Sequence, residues 1–449
     1  MPSDTIAALA SAPGTGAVCI LRVSGPQAVE IVSRVMQATR NLRDFPARVL
    51  KRAHILDATG HKIDDVLVAR FPAPASFTGE DVVEIFGHGG PLVAHLLLEC
   101  LVKAGARPAG PGEFSQRAFL NGKLDLAQAE AVMDVISAQT ALALRAAQQQ
   151  LDGGLSQQVH QLREELIGLL AHVEAYIDFP DEDIDPDTGK SLVARIQSAA
   201  ATINRLLGTA ERGRILRHGL RLVIAGTPNA GKSSLLNLLL GFDRAIVSAE
   251  AGTTRDTVEE TIDLGGIPVR LVDTAGLRPD AGDIERLGMA RTEAALATAD
   301  FVLELVDGNV SPDPRCRVVI PESAPHQLLV LNKSDLGIHP DWAETAAVRV
   351  SCTTRQGLDD LVVTIQNTLA TSPALLDGSP IAINARHQQC LRIAAAGLAA
   401  SIALLDATQA PELVAEELRS ALIAIGDITG QVDAEEILGA IFGRFCIGK

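Results

Sequence analysis

The run Gly226-Thr227-Pro228-Asn229-Ala230-Gly231-Lys232-Ser233 satisfies G-x-x-x-x-G-K-[ST] at every position. Glycines let backbone N–H groups turn inward around phosphate oxygens, and the helix that follows adds the partial positive charge of its N-terminus. Lys232 is expected at the β- and γ-phosphates and Ser233 on Mg²⁺; the nucleotide-contacting set over the loop is Asn229, Ala230, Gly231, Lys232, Ser233 and Ser234. Downstream, Asp273-Thr274-Ala275-Gly276 has the form D-x-x-G. Asp273 suits a water-mediated hold on Mg²⁺, and the Gly276 N–H suits sensing of a γ-phosphate. Asn332-Lys333-Ser334-Asp335 follows. Its carboxylate can accept two hydrogen bonds from the N1–H and exocyclic amine of guanine. Adenine lacks that pair, and a charged acceptor left unpaired would reject it. Ser351-Cys352-Thr353 completes the order, with backbone N–H groups for the guanine oxygen. Four such motifs in this order imply GTP.

Gly252-Thr253-Thr254-Arg255-Asp256 lies between the loop and D-x-x-G. Thr254 is expected to ligate Mg²⁺ only when a γ-phosphate is present. The residue after D-x-x-G is Leu277, where Ras-like proteins carry a water-positioning Gln. Leucine cannot orient water, so the candidates are Asn229 and the acidic residues Asp280, Asp283 and Glu285. Asp283 also suits a helix cap, with Glu285 in the first turn of a helix running to Ala297.

These motifs need strands to end where they begin. Arg221–Ala225, Val269–Val272, Gln327–Leu331 and Val348–Val350 are strand patterns, and Ser233–Leu240 opens a helix. Residues 216–372 therefore read as an α/β unit with a P-loop. Residues 1–121 read as a second α/β domain: Val18–Val23, Val66–Phe71 and Asp81–Phe86 are β-rich, and Pro91–Ala104 is helical. Residues 122–215 and 373–449 are helical, as in Leu124–Gln150, Leu155–Ile177, Ser191–Arg212, Glu412–Ile425 and Ala434–Phe442. The expected architecture is multidomain: an N-terminal α/β domain and an all-α domain in two parts, with the G unit inserted between them.

The 449 residues carry 39 Lys+Arg against 55 Asp+Glu, net −16, with 47% apolar and 3% aromatic residues. That apolar share argues against disorder. The acidity excludes a globally basic nucleic-acid binder, and the few aromatics disfavour a platform for stacked single-stranded bases. The charge is uneven: residues 1–121 hold 12 Lys+Arg and 11 Asp+Glu, residues 216–372 hold 14 and 21. The run Asp178–Asp187 is read as a solvated acidic loop. Six cysteines without a C-x-x-C pair argue against zinc or a disulfide framework. The N-terminus lacks a basic-then-apolar leader, and the apolar run Ile393–Leu405 is too short for a membrane span of about 20 residues. A cytoplasmic protein with no membrane association is expected.

Further matches run the whole length: Asp4-Thr5-Ile6-Ala7, Ser76-Phe77-Thr78-Gly79-Glu80-Asp81, Gly87-His88-Gly89-Gly90, Pro111-Gly112-Glu113-Phe114, Ala118–Leu126, Ile177-Asp178-Phe179-Pro180 and Phe445-Cys446-Ile447-Gly448-Lys449. With the G motifs, they make the chain resemble the MnmE (TrmE) family of tRNA modification GTPases. The resemblance implies a homodimer built through a folate-binding N-terminal domain, which takes 5-formyl-tetrahydrofolate or a related one-carbon donor. It implies a heterotetramer with an MnmG (GidA)-type flavoprotein that adds an aminomethyl-type group to C5 of the wobble uridine of certain tRNAs. It implies G domains that pair in the presence of K⁺. By position, Asn229 would ligate K⁺ together with backbone oxygens of Ser248, Glu250 and Thr253, in the segment Ser248-Ala249-Glu250-Ala251-Gly252-Thr253. Glu285 would orient water indirectly as the catalytic residue, and Arg22, Glu84, Lys123 and Lys449 would bind folate. The carboxylate of Glu250 is a departure, one that leaves backbone ligation intact. Cys446 has two readings, a thiol with a chemical role or a small buried hydrophobe. A GTP-driven switch without modification chemistry, and a folate enzyme with a degenerate nucleotide domain, are the rival classes.

Overall fold

Alternation of apolar residues at period two lays down the first sheet. A computed structural model describes residues 4–178, 190–227, 229–241, 259–273, 294–312, 326–370, 381–407, 411–430, 441–443 and 445–448. The chain divides into two units, Met1–Met133 with Gly426–Lys449, and Asp134–Ile425.

The first unit holds seven strands: β1 (Ile6–Leu9), β2 (Val18–Ser24), β3 (Met36–Gln37), β4 (Lys51–Leu56), β5 (Lys62–Phe71), β6 (Val82–His88) and β7 (Arg107–Pro108). Their order across the sheet is β3-β4-β5-β6-β2-β1-β7. Cys19, Leu21 and Val23 of β2 point to one face. There they meet Ile31 and Val32 of the helix Ala28–Val35, and Leu97 and Leu101 of the helix Pro91–Lys103. Ile6 and Ala8 of β1 point the other way and pack with Ala109 and Phe114. Strand β5 begins four residues earlier than its apolar run suggests, because Lys62 and Asp64 pair with β4. The sequence pattern missed β4, whose first two residues are Lys51 and Arg52; only Ala53 and Ile55 supply the buried alternation.

The last described residues join this same unit. Pro111 and Ile447 form a β-bridge, and the Gly112 N–H donates to the Cys446 carbonyl at 3.4 Å. Phe442 and Phe445 meet edge to face at 5.4 Å and pack with Leu126 and Ala129.

The second unit holds β8 (Leu220–Gly226), β9 (Glu259–Leu264), β10 (Ile267–Asp273), β11 (Phe301–Asp307), β12 (His326–Asn332) and β13 (Val348–Arg349), in the order β13-β12-β11-β8-β10-β9. All neighbours are parallel except β9 with β10. Strands β8 and β11 are buried nearly end to end, as expected for a parallel sheet covered on both faces. The helices Lys232–Leu240 and Leu358–Ala370 contribute to one core.

The helical reading of 124–150 breaks in two, at Leu126–Ser137 and Ala141–Leu151. The Thr140 hydroxyl accepts from the Ala143 N–H at 3.2 Å, capping the second. The helix Gly154–Asp178 buries Leu155, Val159, Leu162, Leu166, Leu169 and Val173 as one stripe. The helices Lys190–Gly208 and Ala210–His218 follow. The apolar run at 393–405 belongs to a longer helix, Ala385–Asp406, which a capping box at Asn384 and His387 starts well before it. At 22 residues it has the length and composition of a membrane span, contrary to the expectation from the run alone. Its Leu391, Ala394, Gly397, Leu398 and Ser401 are buried, and it packs on the helix Lys190–Gly208.

Candidate functional site

The parallel register brings one end of four strands together. Leu305 lies opposite Gly226, Asp273 opposite Ile224, and Asp307 opposite Asn332. Ligands of open α/β sheets bind at such carboxyl ends, at the strand where the connections change side. Here that strand is β8, with β10 on one flank and β11 on the other.

The loop after β8 is shaped by two glycines. A Cβ on Gly226 (φ +155°) would lie 2.0 Å from the Leu305 carbonyl oxygen, and one on Gly231 (φ +97°) would lie 2.3 Å from Asn332 Nδ2. Any side chain at either position collides, so the loop can wrap inward only with glycine there. Asn229 is exposed and left-handed, at φ +62°. Lys232 opens the helix and folds back over the loop: its Nζ donates to the carbonyls of Gly226 and Thr227, each at 2.9 Å. Ser233 and Ser234 are exposed beside it, and Ala230 is buried.

Asn332 ties this loop to the next. It is buried, its Nδ2 donates to the Ala230 carbonyl at 2.7 Å, and its Oδ1 accepts from the Cys352 N–H at 3.1 Å. Both ends of the amide are thus engaged by backbone from two motifs far apart in sequence. Lys333 is left-handed, and its Nζ pairs with Asp307 at 2.6 Å. Ser334 donates its N–H to the Val350 carbonyl at 3.1 Å, which leaves Asp335 exposed at the end of β12. Ser351 is buried and its hydroxyl accepts from the Thr354 N–H; Thr353 is exposed. Burial raises the Cys352 thiol above its ordinary range, which keeps it protonated as a small packing group. Asp307 was not singled out from sequence. Its signal is a carboxylate on the last residue of a buried strand, Phe301–Asp307.

In the first unit, Arg22 of β2 and Glu84 of β6 are direct cross-strand partners. The guanidinium donates to Glu84 Oε1 through Nε at 2.9 Å and lies 2.8 Å from it through Nη2, with both side chains mostly buried. It also sits 5.4 Å from the Phe77 ring centre and 5.7 Å from that of Phe114. Phe77 is 37% exposed beside the pair. Lys123 is exposed and donates to the Pro74 carbonyl at 3.2 Å. Gly448 presses on Leu9, where a Cβ would lie 2.2 Å from the carbonyl oxygen. Leu9 pairs with Leu21, next to Arg22, so the Cys446–Gly448 segment reaches the strand pair that carries Arg22. Cys446 is exposed, which removes the reading of it as a buried hydrophobe.

Beneath this surface lies a cation that sequence reasoning passed over. Arg117 is 1% exposed. It donates to the Asp4 carbonyl at 2.9 Å, to Asp4 Oδ1 at 2.8 Å, to both oxygens of Glu80 at 3.1–3.2 Å, and to Glu113 at 3.1 Å. Glu80 also accepts from Ser24 at 2.7 Å, and Ser24 meets Thr78 at 2.7 Å. The network fastens the loop bearing Phe77 to the end of β2. Hydrogen bonding from Arg107 holds the Asp4 carboxyl below its usual range. Burial works to raise Glu113, but hydrogen bonds from Arg107, the Gly110 N–H and Arg117 outweigh it and lower it.

Ser248, Ala249, Glu250, Ala251, Gly252, Thr253, Thr254, Thr274, Ala275, Gly276, Glu285 and Lys449 lie outside the described residues, as do the side chain of Asp273 and most of the acidic run. Among the described residues, no group of three or more His, Cys, Asp or Glu forms a cluster fit for a metal.

Two family models match the chain: one described as "MnmE helical domain" over residues 126–446, and one described as "GTP-binding protein TrmE N-terminus" over residues 5–123. A tRNA modification GTPase MnmE of Akkermansia muciniphila is 52% identical over 450 residues, covering 100% of this chain and 99% of that protein. The protein of the same name from Opitutus terrae is 45% identical over 456 residues, covering 99% of each. That from Chloroflexus aurantiacus is 45% identical over 461 residues and covers 100% of both.

Proposed function

The chain belongs to the MnmE family of tRNA modification GTPases, and from that membership we propose a K⁺-dependent GTP hydrolase that works with an MnmG-type flavoprotein. Together they add an aminomethyl-type group to C5 of the wobble uridine of certain tRNAs, using a folate-derived one-carbon unit. The observation that carries this reading is 52% and 45% identity, over 100% and 99% of the chain, to relatives of that name.

We assign the roles by residue. Backbone N–H groups of Asn229–Ser234 cradle the phosphates, and Lys232 exchanges its two loop carbonyls for phosphate oxygens when GTP enters. Asp335, exposed at the strand end, accepts from the guanine N–H groups, and backbone N–H groups of Ser351–Thr353 face the guanine oxygen. Asn332 acts through the loops it joins. Ser233 and Thr254 are the Mg²⁺ ligands, Asp273 holds the ion through water, and the exposed position of Ser233 at the start of its helix suits it. Asn229, with Ser248, Glu250 and Thr253, is the K⁺ set; Asn229 is exposed and left-handed in the loop, which suits that role. Bound K⁺ would supply positive charge beside the phosphates as negative charge develops there. Glu285 orients the attacking water indirectly.

For folate, the donor set is Arg22, Glu84, Lys123 and Lys449. The partly exposed Phe77 ring beside an arginine–carboxylate pair has the chemistry that a flat heterocycle with N–H groups and a carboxylated tail requires. The domain division that accompanies this reading is 1–121, 122–215, 216–372 and 373–449, in a homodimer in the cytoplasm. Deletion of the protein should remove the wobble-uridine modification, read by nucleoside mass spectrometry; unchanged nucleosides would overturn the assignment. In the purified protein, K⁺ but not Na⁺ should stimulate GTP hydrolysis, and Asn229→Ala should lose that stimulation.

A further inference from the structure

In a chain of net charge −16, residues 40–52 hold five cations, Arg40, Arg43, Arg48, Lys51 and Arg52, and one carboxylate, Asp44. The fold bends this stretch around a groove of about 890 Å³, walled by the segment Gln37–Arg40, the turn Asp44–Pro46 and strand β4 from Lys51 to His54. Arg40, Lys51 and Arg52 line it, and all three are exposed. Arg52 lies 3.6 Å from Asp65. Neither Arg40 nor Lys51 has an ion pair among the described residues.

The other dense basic run contrasts with it. In residues 212–221, Arg214 is bound by Glu211 and Asp300, Arg217 by Asp134, and Arg212 is buried. Those cations are used within the fold; at 40–52, Arg43 pairs with Glu30 and Arg48 donates to the Ala75 carbonyl, while Arg40 and Lys51 are left facing outward. The groove also has an open backbone edge. Strand β3 pairs only with His54 and Ile55 of β4, so the outer edge of Lys51–Ala53 meets no partner strand among the described residues.

We propose that this groove is a docking surface for the phosphodiester backbone of the tRNA. The proposal rests on the tRNA-directed reading above and adds to it the place where the RNA meets this chain. Pockets for small ligands are lined mostly by apolar groups with a few placed polar ones; here seven of the lining residues, Arg40, Lys51 and Arg52 among them, are exposed. Long flexible cations without carboxylate partners, beside backbone polar groups, are how proteins hold phosphates without reading sequence. A protein partner would be expected to use Val49 and Leu50, which are exposed nearby, but neither lines the groove. The acidity of the chain as a whole repels phosphate, and the five cations against one carboxylate at 40–52 attract it locally.

The test is tRNA binding by the full-length protein, followed by fluorescence anisotropy at salt concentrations from 50 to 200 mM, with Arg40→Gln/Lys51→Gln against wild type. Loss of two phosphate contacts predicts affinity about tenfold weaker at low salt, and a log K against log salt slope shallower by about 1.5. GTP hydrolysis should be unchanged. In wild type, tRNA should shield Lys51 from acetylation by an N-hydroxysuccinimide ester while Lys103 stays reactive, a readout that needs no variant. Unchanged affinity and slope, or shielding of Lys51 by the flavoprotein and not by tRNA, would overturn the proposal. If deletion abolishes the wobble modification yet the double variant binds tRNA like wild type, the groove assignment falls alone. If the modification survives deletion, the tRNA reading itself falls.

Discussion

Asn332→Ala removes one side chain and two hydrogen bonds. The first, Nδ2 to the Ala230 carbonyl at 2.7 Å, lies against a residue that is 1% exposed, so no water replaces it. An orphaned buried acceptor costs about 1–3 kcal/mol. The second, from the Cys352 N–H at 3.1 Å, serves a half-buried residue that water reaches more easily, so about 1 kcal/mol is the fitting figure. The sum is about 2–4 kcal/mol. Both bonds hold loops that must be in place before nucleotide arrives, so the loss falls on binding. At about 1.4 kcal/mol per factor of ten, the lower bound is about a 30-fold weaker dissociation constant for GDP. Equilibrium titration with a fluorescent GDP analogue measures it. Asn332→Asp separates the two bonds: its carboxylate still accepts from Cys352 but faces the Ala230 carbonyl oxygen with no donor. It should bind GDP no better than the alanine variant. If Asn332→Ala binds GDP within threefold of wild type, the two loops are held by something other than this amide and the reasoning fails.

Asp335→Asn should weaken GTP binding by at least about a hundredfold, because an amide replaces a charged double acceptor. It should at the same time improve binding of xanthosine triphosphate, whose C2 oxygen can accept from the new amide; competition titration decides. Arg22→Met leaves Glu84 without its partner in a mostly buried setting. Calorimetry with 5-formyl-tetrahydrofolate should show affinity lower by about tenfold or more, while GTP hydrolysis persists. The carboxyls of Asp4 and Glu113 are held low in the folded chain, so they add stability above the ordinary values of 3.8 and 4.5. That stability is lost as pH falls below about 4.5 and through the lowered values. Hydrogen exchange of the first unit should rise over that window, and Glu113→Gln should flatten the rise; an unchanged slope in that variant would count against the pairing.

The nucleotide loop was legible because its requirements are local. Gly226 and Gly231 are demanded by collisions that the motif spacing encodes, and the strand Leu220–Gly226 declares itself through the apolar run Leu222–Ala225. What the sequence hid is long-range. Arg22 and Glu84 are 62 residues apart in the chain and look like ordinary surface charges until the register of β2 and β6 sets them opposite. Arg117 looks like the exposed face of a short helix. Only the arrival of Asp4, 113 residues earlier, together with Glu80, makes burying it tolerable. Strand β4 was masked by its own basic start, since only Ala53 and Ile55 face the core while Lys51 and Arg52 stay exposed.

The closing of the first unit by residues 441–448 sets a timetable for the chain during synthesis. Strands β1 to β7 leave the ribosome early, but Phe442 and Phe445, which cover Leu126 and Ala129, come last. At about 5–20 residues per second, the roughly 290 residues between the two parts of that unit take on the order of 15–60 seconds. For that interval the sheet can pair and cover its own faces while Leu126 and Ala129 stay bare. A newly made chain is therefore most exposed to aggregation and proteolysis before residues 441–448 appear, and truncations that remove them should lower abundance more than they alter any nucleotide chemistry.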